Sequence, residues 1–173
     1  MDRIVLDGLE YSIQLIRKTE LAADAPRVVV VSHLYNSIAQ RLLQVCIQAV
    51  QRYTPELHEL WIVDNNSPKE NLDWLLEWPG INVVLNRTEP LPPEARNQDK
   101  QLPNRQINWG SYANAVALEL ASRIFNPDPD YLMTLHMDAL PAASGWLSFL
   151  KSKISGNVRA AGIRMDRTRV PEG

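Results

Sequence analysis

The chain has 173 residues, 45% hydrophobic and 22% charged, which suits one globular domain with a substantial core and is short for two. Eighteen basic against 20 acidic side chains give a formal net charge of −2, excluding a broad basic surface for nucleic acid. A single cysteine, Cys46, excludes an internal disulfide or a cysteine zinc cluster, and no apolar run approaches the roughly 18–20 residues of a membrane span.

The opening residues carry acids and Gly8 where a signal peptide needs an apolar block, so the expected compartment is reducing and cytoplasmic. Residues 1–25 form an N-terminal extension. Asp7-Gly8 between two apolar arms predicts a β-hairpin, with Leu9, Tyr11, Ile13 and Leu15 alternating against polar residues. A helix burying Leu6, Leu9, Ile13 and Ile16 is the rival, disfavoured because Gly8 costs a helix about 1 kcal/mol.

The domain proper spans 26–173. Val28 to Val31 is an unbroken β-branched run, suited to a strand buried on both faces, and it ends in Ser32-His33-Leu34-Tyr35-Asn36. A helix from Ile38 to Tyr53 follows, with Ile38, Leu42, Cys46, Ala49 and Tyr53 on one stripe and Leu43, Ile47 and Val50 beside it. Cys46 on that stripe reads as a small core residue. Leu60 to Val63 is a second strand closed by Asp64-Asn65-Asn66-Ser67-Pro68. Glu70 to Trp78 is a short helix, and Ile81 to Leu85 a third strand closed by Asn86.

Residues 87–107 hold four prolines and no period, and are expected to form a long loop. Tyr112 to Ile124 predicts a helix with Ala113, Val116, Ala117, Leu120, Ala121 and Ile124 inward. Tyr131 to Leu135 is a fourth strand ending in His136-Met137-Asp138. Ser144 is placed to cap a helix running to Lys153, and Val158 to Ile163 reads as a fifth strand. Strands alternating with helices imply an α/β fold with a mostly parallel sheet and right-handed crossovers.

Open α/β sheets bind ligands beyond the carboxyl ends of their strands, where strand order reverses. With the core strands in the order 3-2-1-4, Asp64 and Asp138 lie two strand spacings apart, about 10 Å. That separation suits a nucleoside contact at one acid and a metal-bound diphosphate at the other. Magnesium or manganese prefers hard oxygen ligands, so Asp138 is the natural ligand, and His136, two residues earlier on the same side of the strand, can join it. The bland alternative is an aspartate that merely caps the following turn. For His33 and His136 a backbone bond competes with a functional role, and His58 is expected to be inert. Trp61, Trp74, Trp78 and Trp146 look like packing, whereas Trp109 could stack on a ligand.

From Val28 to Asp166 the order of these motifs resembles the donor-binding half of family 2-like glycosyltransferases with the GT-A fold. Tyr35-Asn36 is similar to the family's YN pair, and Val63-Asp64 with Ser67 to its VD-x-x-S strand end. Asn86 matches the asparagine that closes the third strand. Asn108, Gly110, Ala113 and Asn114 are similar to the N-x-G…A-x-N helix, and Gly145-Trp146-Leu147 to the GWL that follows the D-x-D strand. The resemblance implies a Rossmann-type three-layer sandwich with helices on both faces. It implies a nucleoside-diphosphate sugar donor held by Ser32, Tyr35, Asn36, Asp64, Asn66, Ser67, Asn86, Gly110 and Asn114, with Mn²⁺ or Mg²⁺ at Asp138 and His136. The acceptor would be a glycan, a lipid or a protein, which leaves room for peripheral attachment at a membrane through partners. Two departures are visible: His136 replaces the first acid of D-x-D, and Asn114 follows Gly110 by only four residues. The family's catalytic base lies in its acceptor-binding half, so none is assigned.

The alternative is a degenerate, inactive domain of the same shape that binds a nucleotide or a protein. A sugar-phosphate nucleotidyltransferase or a dinucleotide dehydrogenase needs a glycine-rich loop after the first strand, and SHLYNS has no glycine. No G-x-S-x-G turn supports a serine hydrolase.

Overall fold

A computed structural model of the chain describes residues 2–22, 24–92, 109–125 and 131–162. Strand β1 (Asp2–Leu6) and strand β2 (Leu9–Ile16) form the antiparallel hairpin, closed by the Leu6–Leu9 pair. Asp7 and Gly8 have φ of 48° and 75°, the two positive values that a two-residue turn of this hand requires.

The remaining elements are β3 (Arg27–Ser32), α1 (Ser37–Tyr53), β4 (Glu59–Asn65), α2 (Asp73–Glu77), β5 (Asn82–Asn86), α3 (Trp109–Phe125), β6 (Leu132–His136) and α4 (Trp146–Ser152). One six-stranded sheet runs β1-β2-β5-β4-β3-β6. This differs from the expected 3-2-1-4 order because the hairpin is part of the sheet: β2 pairs antiparallel with β5 and extends that edge. The Asn82 amide secures the join. It accepts the N–H groups of Lys18 and Thr19 at 2.7 and 2.8 Å and donates to Thr19 O at 3.0 Å. The pairings β5–β4, β4–β3 and β3–β6 are all parallel.

Alternate residues of these strands enter two separate apolar clusters, as the two-residue side-chain period dictates. Val28, Val30, Leu60, Ile62, Val83 and Leu85 pack with Leu43, Ile47 and Val50 of α1. Val29, Val31, Trp61, Val63 and Val84 pack with Val116, Ala117, Leu120 and Ala121 of α3 and with Tyr11 and Ile13 of the hairpin. Each fully buried Val, Leu or Ile side chain among them contributes about 1.5–3 kcal/mol. The buried face of α1 is Ala39, Leu43, Cys46, Ile47, Ala49 and Val50, so the stripe predicted from Ile38 and Leu42 is rotated by one residue. Ile38 is 68% exposed. The apolar arc of α1 is wider than its contact with the sheet, and packing selected one edge of it.

At the N-terminal ends of β3 and β4, Arg27 and Glu59 form a buried ion pair at 3.0 Å. Glu59 also accepts from Trp61 Nε1 at 2.8 Å and from the N–H of Leu21 at 3.0 Å, while the Arg27 guanidinium lies 5.5 Å from the Phe125 ring centroid.

Three further expectations are corrected. The helix predicted over 70–78 divides into a 3-10 turn, Lys69–Asn71, and α2. Ser144 does not cap α4; the helix starts after Gly145, whose φ of 83° only glycine adopts without strain. Residues 158–162 form no strand, and Ile163 lies outside the described residues. Most of the predicted 87–107 loop lies outside them as well, and no described helix is long and apolar enough to cross a membrane.

Candidate functional site

The polar residues predicted at the strand ends converge, but most of them bond to one another. Asp64, the sixth residue of β4, is fully buried beside Ser32 of β3. Its carboxylate accepts the Ser67 N–H at 3.0 Å and the Ser67 hydroxyl. That hydroxyl in turn accepts the Leu34 N–H at 2.6 Å, tying the loop after β3 to the turn after β4. Burial pushes the Asp64 carboxyl above its ordinary value of 3.8; the bonds from Ser67, and the charges of His33 and Arg87, offset this only in part.

Asn36 caps α1, its side chain accepting the Ala39 N–H at 2.9 Å. Asn86 is buried and donates to Asn65 Oδ1 at 2.7 Å and to Thr88 O at 2.8 Å, and Asn65 donates to Ala113 O at 2.7 Å. This amide chain joins the ends of β4 and β5 to α3. Ser32 is 1% exposed, and its hydroxyl has no hydrogen-bond partner among the described residues. Asn114 is half-buried on α3; Gly110 and Trp109 open that helix, and their surroundings lie outside the description.

Above this polar floor is a cleft of about 360 Å³ lined by His33, Tyr35, Asn65, Asn66, Pro68, Glu89, Pro90 and Ala113. Two of the predicted donor-site residues, Tyr35 and Asn66, line it. Tyr35 is 61% exposed and stacks on His33 with ring centroids 5.9 Å apart. His33 Nδ1 contacts Asn65 O at 3.0 Å; a carbonyl only accepts, so Nδ1 carries the hydrogen. Asn66 holds φ of 63°, a left-handed conformation that asparagine tolerates better than most residues. Its place in the Asn65-Asn66 pair was the available sequence signal for the cleft. Glu89 and Pro90 carried no such signal, since they fall in a stretch without periodicity.

His136 and Asp138 lie at the end of β6, on the other side of β3 from Asp64, because Val31 pairs with His136 and Ser32 with Asp64. They do not line the cleft. His136 Nδ1 and Asp138 Oδ1 are 2.7 Å apart, and both side chains are solvent-accessible. This contact leaves His136 Nε2 and Asp138 Oδ2 available. Among the described residues, no group of three or more His, Cys, Asp or Glu is placed to hold a metal ion. Magnesium and manganese sites of the kind completed by substrate phosphates need only one or two protein carboxylates, and Asp138 supplies one; His136 Nε2 points away from that carboxylate while Nδ1 is bonded to it.

The other predicted minor players are structural. Cys46 is buried in the core with its thiol against Ala139 O at 3.4 Å, and burial, with Asp138 nearby, raises the thiol to about 11. His58 bonds Glu56 O at 2.7 Å, Trp61 packs on Phe125, Trp74 on Trp78, and Trp146 donates to Thr54 Oγ1 at 2.9 Å. No family model matches the chain, and no curated protein or solved structure matches it either.

Proposed function

We propose that this chain is the donor-binding portion of a glycosyltransferase, built on a GT-A-like three-layer frame and binding a nucleoside-diphosphate sugar. The observation that carries the proposal is the position of the cleft. It opens at the carboxyl ends of β3 and β4, beside the point where the chain turns from building outward through β4 and β5 to adding β6 on the opposite side. Sheets of this kind bind nucleotides at such a reversal. The order of motifs from Val28 to Asp166 supports the same reading.

The nucleoside would sit in the cleft, its base against the exposed Tyr35 ring and its ribose hydroxyls within the polar set of Glu89 and Asn66. Asp64 then acts from below: with Ser67 it holds Leu34 and the Asn65-Asn66 turn in place, positioning the walls without touching the ligand. Across β3, Asp138 would hold Mn²⁺ or Mg²⁺, with His136 joining it only after the contact between His136 Nδ1 and Asp138 Oδ1 opens. A divalent ion bound there would neutralise charge on the departing diphosphate. The test is a thermal melt with uridine, guanosine and adenosine diphosphates, each with and without Mn²⁺. A stabilised fold with one of them supports the reading, and Asp138→Ala is expected to remove the Mn²⁺ dependence. No shift with any of the three at millimolar concentration overturns it.

The second reading, a domain that binds without turnover, is favoured by one observation: the two acids expected at the donor site are engaged internally, Asp64 by Ser67 and Asp138 by His136. Release of nucleoside diphosphate from the sugar donor separates the two, since only the first reading produces it.

A further inference from the structure

The sheet ends at one edge in β1 of the hairpin and at the other in β6, which pairs only with β3 among the described residues. In a parallel ladder, each residue turns both of its backbone groups to the same neighbour. The Arg27 N–H donates to Tyr131 O and the Met137 N–H to Val31 O, so the odd-numbered residues face β3. Leu132, Thr134 and His136 therefore present their N–H and C=O groups outward. An unblunted edge of this kind is a template for another strand. No proline or bulge protects it, and Leu132 is 38% exposed.

A groove of about 720 Å³ runs along this edge, with residues 159–162 on its far side and Leu147, Leu150 and Ile154 in its floor. Its charged lining is Lys151 and Arg159, with no acid; the Lys151 ammonium sits 4.6 Å from the Tyr131 ring centroid, at the end of the strand.

We infer that the β6 edge is a strand-addition site for an extended peptide segment of a partner protein, apolar at alternate positions and carrying an acidic residue. Main-chain bonds to Leu132, Thr134 and His136 supply affinity, the apolar floor receives alternate side chains, and Lys151 and Arg159 select the acid. The site is separate from the cleft, though it borders the proposed metal position at His136, and it does not rest on the donor proposal.

The probe is the blocked peptide acetyl-Thr-Val-Glu-Val-Thr-amide, added to the ¹⁵N-labelled full chain and followed by amide hydrogen exchange. The amides of Leu132, Thr134 and His136 are expected to exchange roughly tenfold more slowly with the peptide. The same peptide with Lys for Glu is expected to protect them less, and an N-methylated version not at all. Thr134→Pro removes only an outward-facing N–H, so it is expected to keep the fold and lose the response; should it unfold, the N-methylated peptide makes the same comparison on the native chain. Three results overturn the inference: no protection of the three amides, protection already complete in the monomer without peptide, or protection that rises with protein concentration alone, which marks a second copy as the occupant.

Discussion

Ser67 donates to Asp64 twice, through its backbone N–H and through its hydroxyl, and the same hydroxyl accepts from Leu34. An acid at the end of a parallel strand invites assignment as a ligand contact. Here both of its oxygens accept from Ser67, which ties the turn after β4 to the loop after β3.

Asp64→Ala is expected to cost about 1–3 kcal/mol, because it strands the buried Ser67 N–H and hydroxyl. Ser67→Ala is expected to cost a similar amount, since it leaves both the Leu34 N–H and the buried Asp64 Oδ1 without their partner while keeping the Ser67 N–H bond. Urea denaturation measures both. An Asp64→Ala protein of unchanged stability that no longer binds nucleoside diphosphate would return Asp64 to direct ligand contact.

Two carboxyl groups tilt the pH dependence of stability in opposite directions. The Ser148 hydroxyl bond is the main cause holding Glu56 below its ordinary 4.5. Its contribution is fully present above 4.5 and is lost as pH falls through the lowered folded value. Asp64, raised by burial, opposes this: the fold is favoured by its neutral form, and that advantage fades as pH rises from 3.8 through the raised folded value. Melting temperatures between about pH 3 and pH 7 should show a flatter acid limb for Glu56→Gln. An unchanged acid limb would show that the Ser148 contact does not persist in solution.

The Arg27–Glu59 pair gives a sharper stability test. Burial alone would raise the Glu59 carboxyl, but bonds from Trp61, Leu21 and Arg27 outweigh it and hold the group below its usual range. Glu59→Ala leaves Arg27 buried without its counter-charge and is expected to cost about 3–5 kcal/mol. The double variant Arg27→Met with Glu59→Leu should recover much of that loss. A double variant as unstable as the single one would mean that the hydrogen bonds to Leu21 and Trp61, rather than the charges, hold this end of the sheet.

Tyr35→Ala should leave stability within about 0.5 kcal/mol, since the ring is exposed. It should weaken nucleoside diphosphate binding roughly tenfold or more if the base stacks there. Isothermal calorimetry reads this directly; equal affinity in the variant removes Tyr35 from the site.

The buried β-branched runs and the Asp7-Gly8 turn were legible because each rests on local chemistry: steric preference for extended backbone in one case, positive φ in the other. The strand-end positions of Asp64, Asn86 and His136 followed from the same runs. Partner choice was not legible. Nothing near Leu9–Ile16 says that β2 will join β5, because the register is set by Asn82 and Val83 to Asn86, far along the chain. Whether Asp64 faces ligand or Ser67 depends on a turn geometry that residue types alone do not specify. Residues 158–162 have strand-like composition but no ladder partner, and composition without a partner makes no strand.

The Asn82 clamp on Lys18 and Thr19 spans 64 and 63 positions of the chain. Ends that distant must be brought together against loop-closure entropy, and pairings of this kind slow folding more than local ones do. A nascent chain would therefore carry its hairpin unsatisfied on one side until β5 has been synthesised. Asn82→Ala should consequently be felt in the rate at which the hairpin docks as well as in the final stability. The residue that finishes this edge of the sheet also governs how long the edge stays exposed to the wrong partners.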